Sequence, residues 1–318
     1  MALLGAIAAT NPPAALNHWV EPSTGVSRQI PDPNDPVEKE YRTLLERDDA
    51  AQEEVDKWIR DDAAFREQGA GLSGATLRAR VEQRLKPVHE AYEEFLRRHP
   101  DHARAHLAYG SFLNDIHEED GAETHWEKAR ELDPKNPAAW NNLANHYGHR
   151  SPVKKAFEYY AKAIELNPME AIYYQNFATS VYLFRKDAME FYGIGEQQVF
   201  SKALDLYRQA LKLDPANFVL ATDYAQTYYG IKPVRSDEAL AAWEYALKIA
   251  PNDTDREGVF LHLARFKLNA GRFDEARKTI NGVTNAAYAE LKQRLLRNLE
   301  KQETEAKSTN APPVTGRK

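Results

Sequence analysis

A proline recurs through the middle of the chain, each time after the pair Leu-Asp, Leu-Asn or Ile-Ala. It stands at four positions: Pro134, Pro168, Pro215 and Pro251. The first two lie 34 residues apart. Self-similarity at a fixed period indicates stacked copies of one structural unit. With this proline at place 32, units begin at five positions: Ala103, Pro137, Ala171, Phe218 and Glu257.

Small residues fall in phase with this numbering. Place 8 carries Gly110, Ala144, Ala178, Ala225 and Ala264; place 20 carries Ala122, Ala156, Ala203, Ala239 and Ala276. Place 24 carries mostly large aromatic residues: Trp126, Tyr160, Tyr207, Trp243 and Ile280. Helices approach closely only where the side chain at the crossing is small, and large groups fill the space beside it. Each unit is therefore predicted to be a pair of helices that ends before the proline.

This pattern resembles the tetratricopeptide repeat over residues 103 to about 283. The resemblance implies an all-α superhelix, a solenoid of antiparallel helix hairpins. Its five repeats are expected at 103–136, 137–170, 171–217, 218–253 and 257–283. The third carries 13 extra residues between its paired helices.

The flanks of the repeats carry their own expectations. Residues 37–102 are predicted to form an N-terminal helical cap with a degenerate repeat, and 284–304 a C-terminal capping helix, because stacked repeats need polar outer ends. Residues 1–36 and 305–318 are predicted to be a disordered leader and tail. The apolar start, MALLGAIAA, is either such a leader or the remnant of a signal peptide. Localisation thus stays open between cytoplasmic and exported or periplasmic.

Composition narrows the classes of partner. The net charge is −6 and the charges are interspersed, which argues against a nucleic-acid-binding surface. No stretch approaches the roughly 20 apolar residues of a membrane span. The chain has no cysteine, so disulfides and thiolate metal sites are excluded. No motif predicts a cofactor, a metal site or a catalytic residue.

The resemblance implies that the first helices line a concave groove that binds an extended peptide. Nine candidate groove residues are uncharged or acidic: Asn141, Asn142, Asn145, Gln175, Asn176, Thr179, Thr222, Asp223 and Gln226. Asn142 and Asn176 share place 6, which is similar to the asparagine ladder of O-linked N-acetylglucosamine transferase. An amide can pair with a backbone N–H and C=O together. The alternative is a merely solvated face.

A chaperone-tail clamp is not expected here, because it needs Lys or Arg at places where this chain has Leu107, Asn142, Ile172 and Asn176. A second candidate contact surface is the insertion in the third repeat. Its residues of interest are Arg185, Lys186, Phe191 and Tyr192. Long insertions between packed elements are often functional. The alternative is that Phe191 and Tyr192 pack on the neighbouring repeat.

These observations favour a non-catalytic scaffold that binds another protein or an extended peptide. The alternative is a regulatory or substrate-recruiting subunit of an enzyme complex. The partner and the oligomeric state lie beyond the sequence.

Overall fold

The computed structural model describes residues 32, 34–67 and 69–309, and this part of the chain contains helices but no strand. The α-helices, in chain order, are α1 Pro36–Glu67, α2 Gly74–Arg98, α3 Ala103–Asp115, α4 Glu119–Leu132, α5 Pro137–Arg150, α6 Val153–Leu166, α7 Ala171–Leu183, α8 Arg185–Tyr192, α9 Glu196–Leu213, α10 Phe218–Thr227, α11 Ser236–Ile249, α12 Asp253–Asn269, α13 Phe273–Asn281 and α14 Ala289–Thr309. A 3-10 turn, Ala286–Tyr288, precedes α14. The fold is all-α, as predicted.

The chain divides into two compact bodies between Val88 and His89. Within the first, Arg84 forms an ion pair with Glu54 at 2.7 Å, and the Arg80 guanidinium lies 3.7 Å from the Trp58 ring centroid. These contacts lie between α1 and the first half of α2. The second body holds the end of α2 and helices α3 to α14.

In the second body, helices pair as the repeat spacing predicts: α3 with α4, α5 with α6, α7 with α9, α10 with α11, and α12 with α13. The alanines at the crossings are buried; Ala156 and Ala163 of α6, for example, are both 0% exposed. At Gly110 of α3 even a methyl group would lie 2.6 Å from Trp126 Cδ1. Close approach at small residues thus builds the core.

Asparagine side chains cap several first helices. Asn136 accepts a hydrogen bond from the Ala138 amide, with Pro137 at the first helical position, and Asn217 accepts from the Leu220 amide. Asn252 does the same for the Asp255 amide, so α12 begins at Asp253, one turn before the predicted repeat start at 257. Such a cap gives a hydrogen-bond acceptor to a backbone N–H group that has no partner within the helix.

The terminal segments differ in part from the prediction. Helix α14 runs through Thr309, although the tail was predicted to start at 305. Leu295 and Leu299 of this helix belong to one buried cluster with Leu268 and Ile280, which ties the helix to α12 and α13. Residues 310–318 and most of the leader, 1–31, lie outside the described residues.

Candidate functional site

The first helices of successive repeats are linked by side chains at place 6. Asn142 Nδ2 of α5 donates to Ser111 Oγ of α3 at 3.3 Å, and Asn176 Nδ2 of α7 donates to Asn141 Oδ1 of α5 at 3.2 Å. At the same place in α10, Asp223 Oδ2 accepts from Gln175 Nε2 at 2.9 Å. The first helices therefore lie side by side and share one polar face. We call the nine predicted groove residues on α5, α7 and α10 the polar stripe.

Asn141 is the most enclosed member of the polar stripe. Its side chain is 6% exposed. Its oxygen accepts from Asn176, and its nitrogen lies 3.5 Å from Asn142 Oδ1. Both ends of the amide are used inside the protein, so Asn141 orients Asn142 and Asn176, which are only half-buried.

Tyrosines of the second helices orient the place-9 members of the polar stripe. Tyr160 OH of α6 donates to Asn145 Oδ1 at 2.6 Å, and Tyr207 OH of α9 lies 2.7 Å from Thr179 Oγ1. Burial raises the pKa of both tyrosines well above the usual range, so the hydroxyls stay protonated and can donate. With Tyr160 bound to its oxygen, the Asn145 amide leaves its NH₂ for other contacts.

The α10 part of the polar stripe is more open. Thr222 donates its hydroxyl to the Val219 carbonyl at 2.8 Å, and Gln226 is exposed. Val219 is an exposed apolar neighbour, with 64% of its surface accessible. Burial raises the pKa of Asp223, and the hydrogen bond from Gln175 opposes this rise.

The family model of the tetratricopeptide repeat matches residues 89–115 and 120–171, which cover α3 to α6 and the end of α2. The same phase of small residues, aromatic residues and helix pairs continues through α13. Residues 89–171 of the chain therefore contain tetratricopeptide repeats. Repeats of this kind are typical of non-catalytic scaffolds that bind proteins or peptides.

One relative of this chain is the TPR repeat-containing protein MJ1428 of Methanocaldococcus jannaschii. The two are 28% identical over 139 residues, which is 44% of this chain and 21% of the archaeal protein. The chain thus spans about a fifth of that relative's length.

Two solved structures superpose on much of this chain. PilW, described as a type IV pilus biogenesis factor, superposes with a TM-score of 0.52 at 16% identity, over 67% of this chain and 91% of PilW. The pilF protein of Pseudomonas aeruginosa superposes with a TM-score of 0.49 at 17% identity. The superposition covers 81% of this chain and 99% of the pilF protein.

The third-repeat insertion folds as α8, which Gly193 ends in the left-handed conformation at φ 64°. Its aromatic residues face the preceding repeat: the ring centroids of Phe191 and Tyr192 lie 5.5 Å and 6.0 Å from that of Phe157. Arg185 forms an ion pair with Glu196 at 3.0 Å, whereas Lys186 is exposed.

Charge is almost absent from the helices that carry the polar stripe. Helix α7 has no Asp, Glu, Lys or Arg, α10 has only Asp223, and α5 has only Arg150. Arg150 lies at the end of α5, where it pairs with Glu119 at 2.6 Å and Asp120 at 2.5 Å. The second helix α6, by contrast, carries Lys154, Lys155, Glu158, Lys162 and Glu165.

Other sites receive no support from the described residues. No three His, Asp or Glu side chains among them converge as metal ligands, and none of their helices is long and apolar enough to cross a membrane.

Sequence reasoning missed the roles of Tyr160 and Tyr207. Both occupy place 24, which the repeat pattern assigns to packing. Only the fact that place 24 of the second helix faces place 9 of the first helix could have indicated that their hydroxyls reach the polar stripe.

Proposed function

We propose that this chain is an interaction scaffold that binds an extended segment of a partner protein along the polar stripe. The observation that carries the proposal is the row of polar groups, without a cation, on three adjacent first helices. The proposed binding unit comprises the five repeats within 103–283, with 37–102 and 284–304 as caps. Other repeat arrays use such first-helix faces as extended binding surfaces.

The polar stripe has hydrogen-bonding capacity beyond its internal bonds. An amide offers two donor hydrogens and two acceptor lone pairs. Asn142 and Asn176 each donate one hydrogen to the preceding helix, and Asn145 only accepts. The remaining groups suit the N–H and C=O groups of a peptide backbone, which are the same in every sequence.

The internal bonds also prepare the polar stripe for binding. Asn141, Tyr160 and Tyr207 hold neighbouring side chains in single orientations. Side chains that are already ordered lose less conformational entropy when a ligand binds, which improves affinity. Binding should therefore need little rearrangement of the first helices.

The lack of cations on the polar stripe supports two exclusions within the proposal. A chaperone-tail clamp holds a C-terminal carboxylate with Lys or Arg, which α5, α7 and α10 do not offer at Asn142, Ile172 or Asn176. The net charge of −6 likewise disfavours nucleic acid. A peptide ending in acidic residues, or a DNA duplex, should show no saturable binding in a direct titration.

The test compares the full-length chain with a triple variant, Asn142→Ala, Asn145→Ala and Asn176→Ala, as immobilised bait in extract from the source cells, read by quantitative mass spectrometry. A matched triple, Glu158→Ala, Lys162→Ala and Glu244→Ala, removes two exposed side chains and one half-exposed side chain from second helices. We expect the first triple to lose the captured partners and the matched triple to retain them. Equal capture by all three proteins would remove the polar stripe from consideration.

The first triple also loses bonds between repeats, so a second variant separates folding from binding. Gln226 is exposed, and Gln226→Arg adds bulk and charge to the polar stripe without breaking a described bond. A folded Gln226→Arg protein should bind the captured partner more weakly. A catalytic subunit among the captured proteins would favour the recruiting-subunit alternative.

The insertion remains a second proposed contact surface, through its charged start. Phe191 and Tyr192 pack on Phe157, and Arg185 is paired with Glu196, so Lys186 is the residue best placed to meet a partner. Lys186→Glu should weaken capture if α8 contributes to binding. Unchanged capture would restrict the interface to the polar stripe.

A further inference from the structure

Asp223 is the one carboxylate on helices α5, α7 and α10, which form the polar stripe, and no cation in the described part of the chain pairs with it. Its Oδ2 accepts from Gln175 Nε2 at 2.9 Å. Within the described residues no Lys, Arg or His nitrogen forms an ion pair with it, and no cation contributes to its pKa, which burial raises. A half-buried carboxylate without a counter-charge costs free energy at neutral pH.

The fold does not need this charge. Asn142 and Asn176 occupy the same place in the two preceding repeats and bond to the preceding first helix as neutral amides. An asparagine at 223 could make the corresponding bond, because Gln175 can present either its NH₂ or its oxygen. The bond between α7 and α10 thus accounts for a polar side chain at 223 but not for a negative one.

We propose that Asp223 is a specificity-determining residue that pairs with one Lys or Arg side chain of the bound partner segment. This inference rests on the proposed function of the polar stripe. Charge complementarity identifies the occupant: a segment with a single cation between uncharged residues. Around Asp223, helix α7 carries no charge, and Val219, Thr222 and Gln226 offer apolar and neutral polar contacts.

Asp223 has a second carboxylate oxygen that could accept such a pairing. Gln175 engages Oδ2, which leaves Oδ1 for the ammonium or guanidinium group of the ligand. Partial burial lowers the local dielectric constant and strengthens a charge-assisted hydrogen bond there. The bound cation would supply a counter-charge that none of the residues described in the structure provides.

The test uses a phage-displayed library of random linear peptides, selected on the full-length chain, on Asp223→Asn, on Asp223→Lys and on the triple variant Asn142→Ala, Asn145→Ala and Asn176→Ala. We expect the wild-type pool to carry one Lys or Arg at a constant position between uncharged residues. Asp223→Asn should lose that preference, and Asp223→Lys should select Asp or Glu there. For one selected peptide, Asp223→Asn should raise Kd by roughly tenfold. Asp205→Asn, which removes an exposed carboxylate from α9, should change neither pool nor Kd.

The outcomes separate this inference from the proposed function. If the selected pool depends on Asn142, Asn145 and Asn176 but shows no preference for a cation, the inference fails and the proposed function stands. The same conclusion follows if the preference for a cation persists in Asp223→Lys. If the pool is unaffected by the asparagine triple, or no peptide is enriched, both fail. Thermal unfolding provides a further readout. Asp223→Asn should melt no lower than wild type at neutral pH, and a lower Tm would assign the carboxylate to folding and overturn the inference.

Discussion

Asn176 Nδ2 donates to Asn141 Oδ1 across two first helices, at 3.2 Å and 35 residues apart in the chain. Because Asn141 is only 6% exposed, this bond lies in the packed interface between the second and third repeats. It fixes the orientation of the more exposed members of the polar stripe. The same place-6 side chain links α5 to α3 and α10 to α7. Binding capacity and repeat stacking are therefore coupled in this chain.

Asn141→Ala should destabilise the protein by about 1–3 kcal/mol, because it leaves the partly buried Asn176 amide without its acceptor. Urea denaturation followed by circular dichroism measures the change. Gln226→Ala, at an exposed place on α10, should stay within about 0.5 kcal/mol of wild type. Similar small effects for both variants would mean that the bond does not hold the repeats together.

Gly110→Ala should be destabilising by about 1–3 kcal/mol, although alanine is the better helix former. The added methyl group would lie 2.6 Å from Trp126 Cδ1. In a Trp126→Phe background the penalty should shrink, and the indole Nε1 has no hydrogen-bond partner to lose. Gly148→Ala is the matched control: its nearest neighbour is Ser180 Oγ at 3.6 Å, so it should be neutral or stabilising in the same denaturation assay.

Phe191→Ala should cost about 1–3 kcal/mol, since it removes a ring that packs on Phe157 and Tyr192. Differential scanning calorimetry would detect a lower Tm. Lys186→Ala in the same short helix is exposed and should melt with the wild type. If Phe191→Ala leaves Tm unchanged but weakens partner capture, the aromatic residues of the insertion serve binding instead of packing.

Stability should fall as the pH drops from about 6.5 towards 4, in part because of His262. Burial, reinforced by Arg265, lowers the pKa of this residue to about 4, and its ring stacks on Trp243 at 4.0 Å. In this pH window His262 becomes protonated in the unfolded chain but stays neutral in the folded chain. The proton therefore favours unfolding by up to about 1.4 kcal/mol per pH unit.

His262→Gln should reduce the slope of unfolding free energy against pH by the contribution of about one proton. Gln would still offer a hydrogen-bond acceptor to Tyr229. His125, whose pKa burial also lowers to about 4, should leave a residual slope. Urea unfolding at a series of pH values gives the comparison, with the exposed His149→Gln as control. An unchanged slope in His262→Gln would show that this residue titrates normally in the folded chain.

The sequence by itself determined the helical hairpins, their order and the side of each first helix on which Asn142, Asn176 and Asp223 lie. These features follow from local rules: helical periodicity places residues on a face, small residues mark the crossings, and proline ends a helix.

Only the tertiary structure decided which of these side chains bond to one another. It buried Asn141, directed Tyr160 and Tyr207 onto Asn145 and Thr179, and packed Phe191 on Phe157. It also placed no cation of the described residues beside Asp223. Bonds such as Gln175 to Asp223, 48 residues apart, depend on the distance and crossing angle between packed helices, which the periodicity of a single helix does not encode.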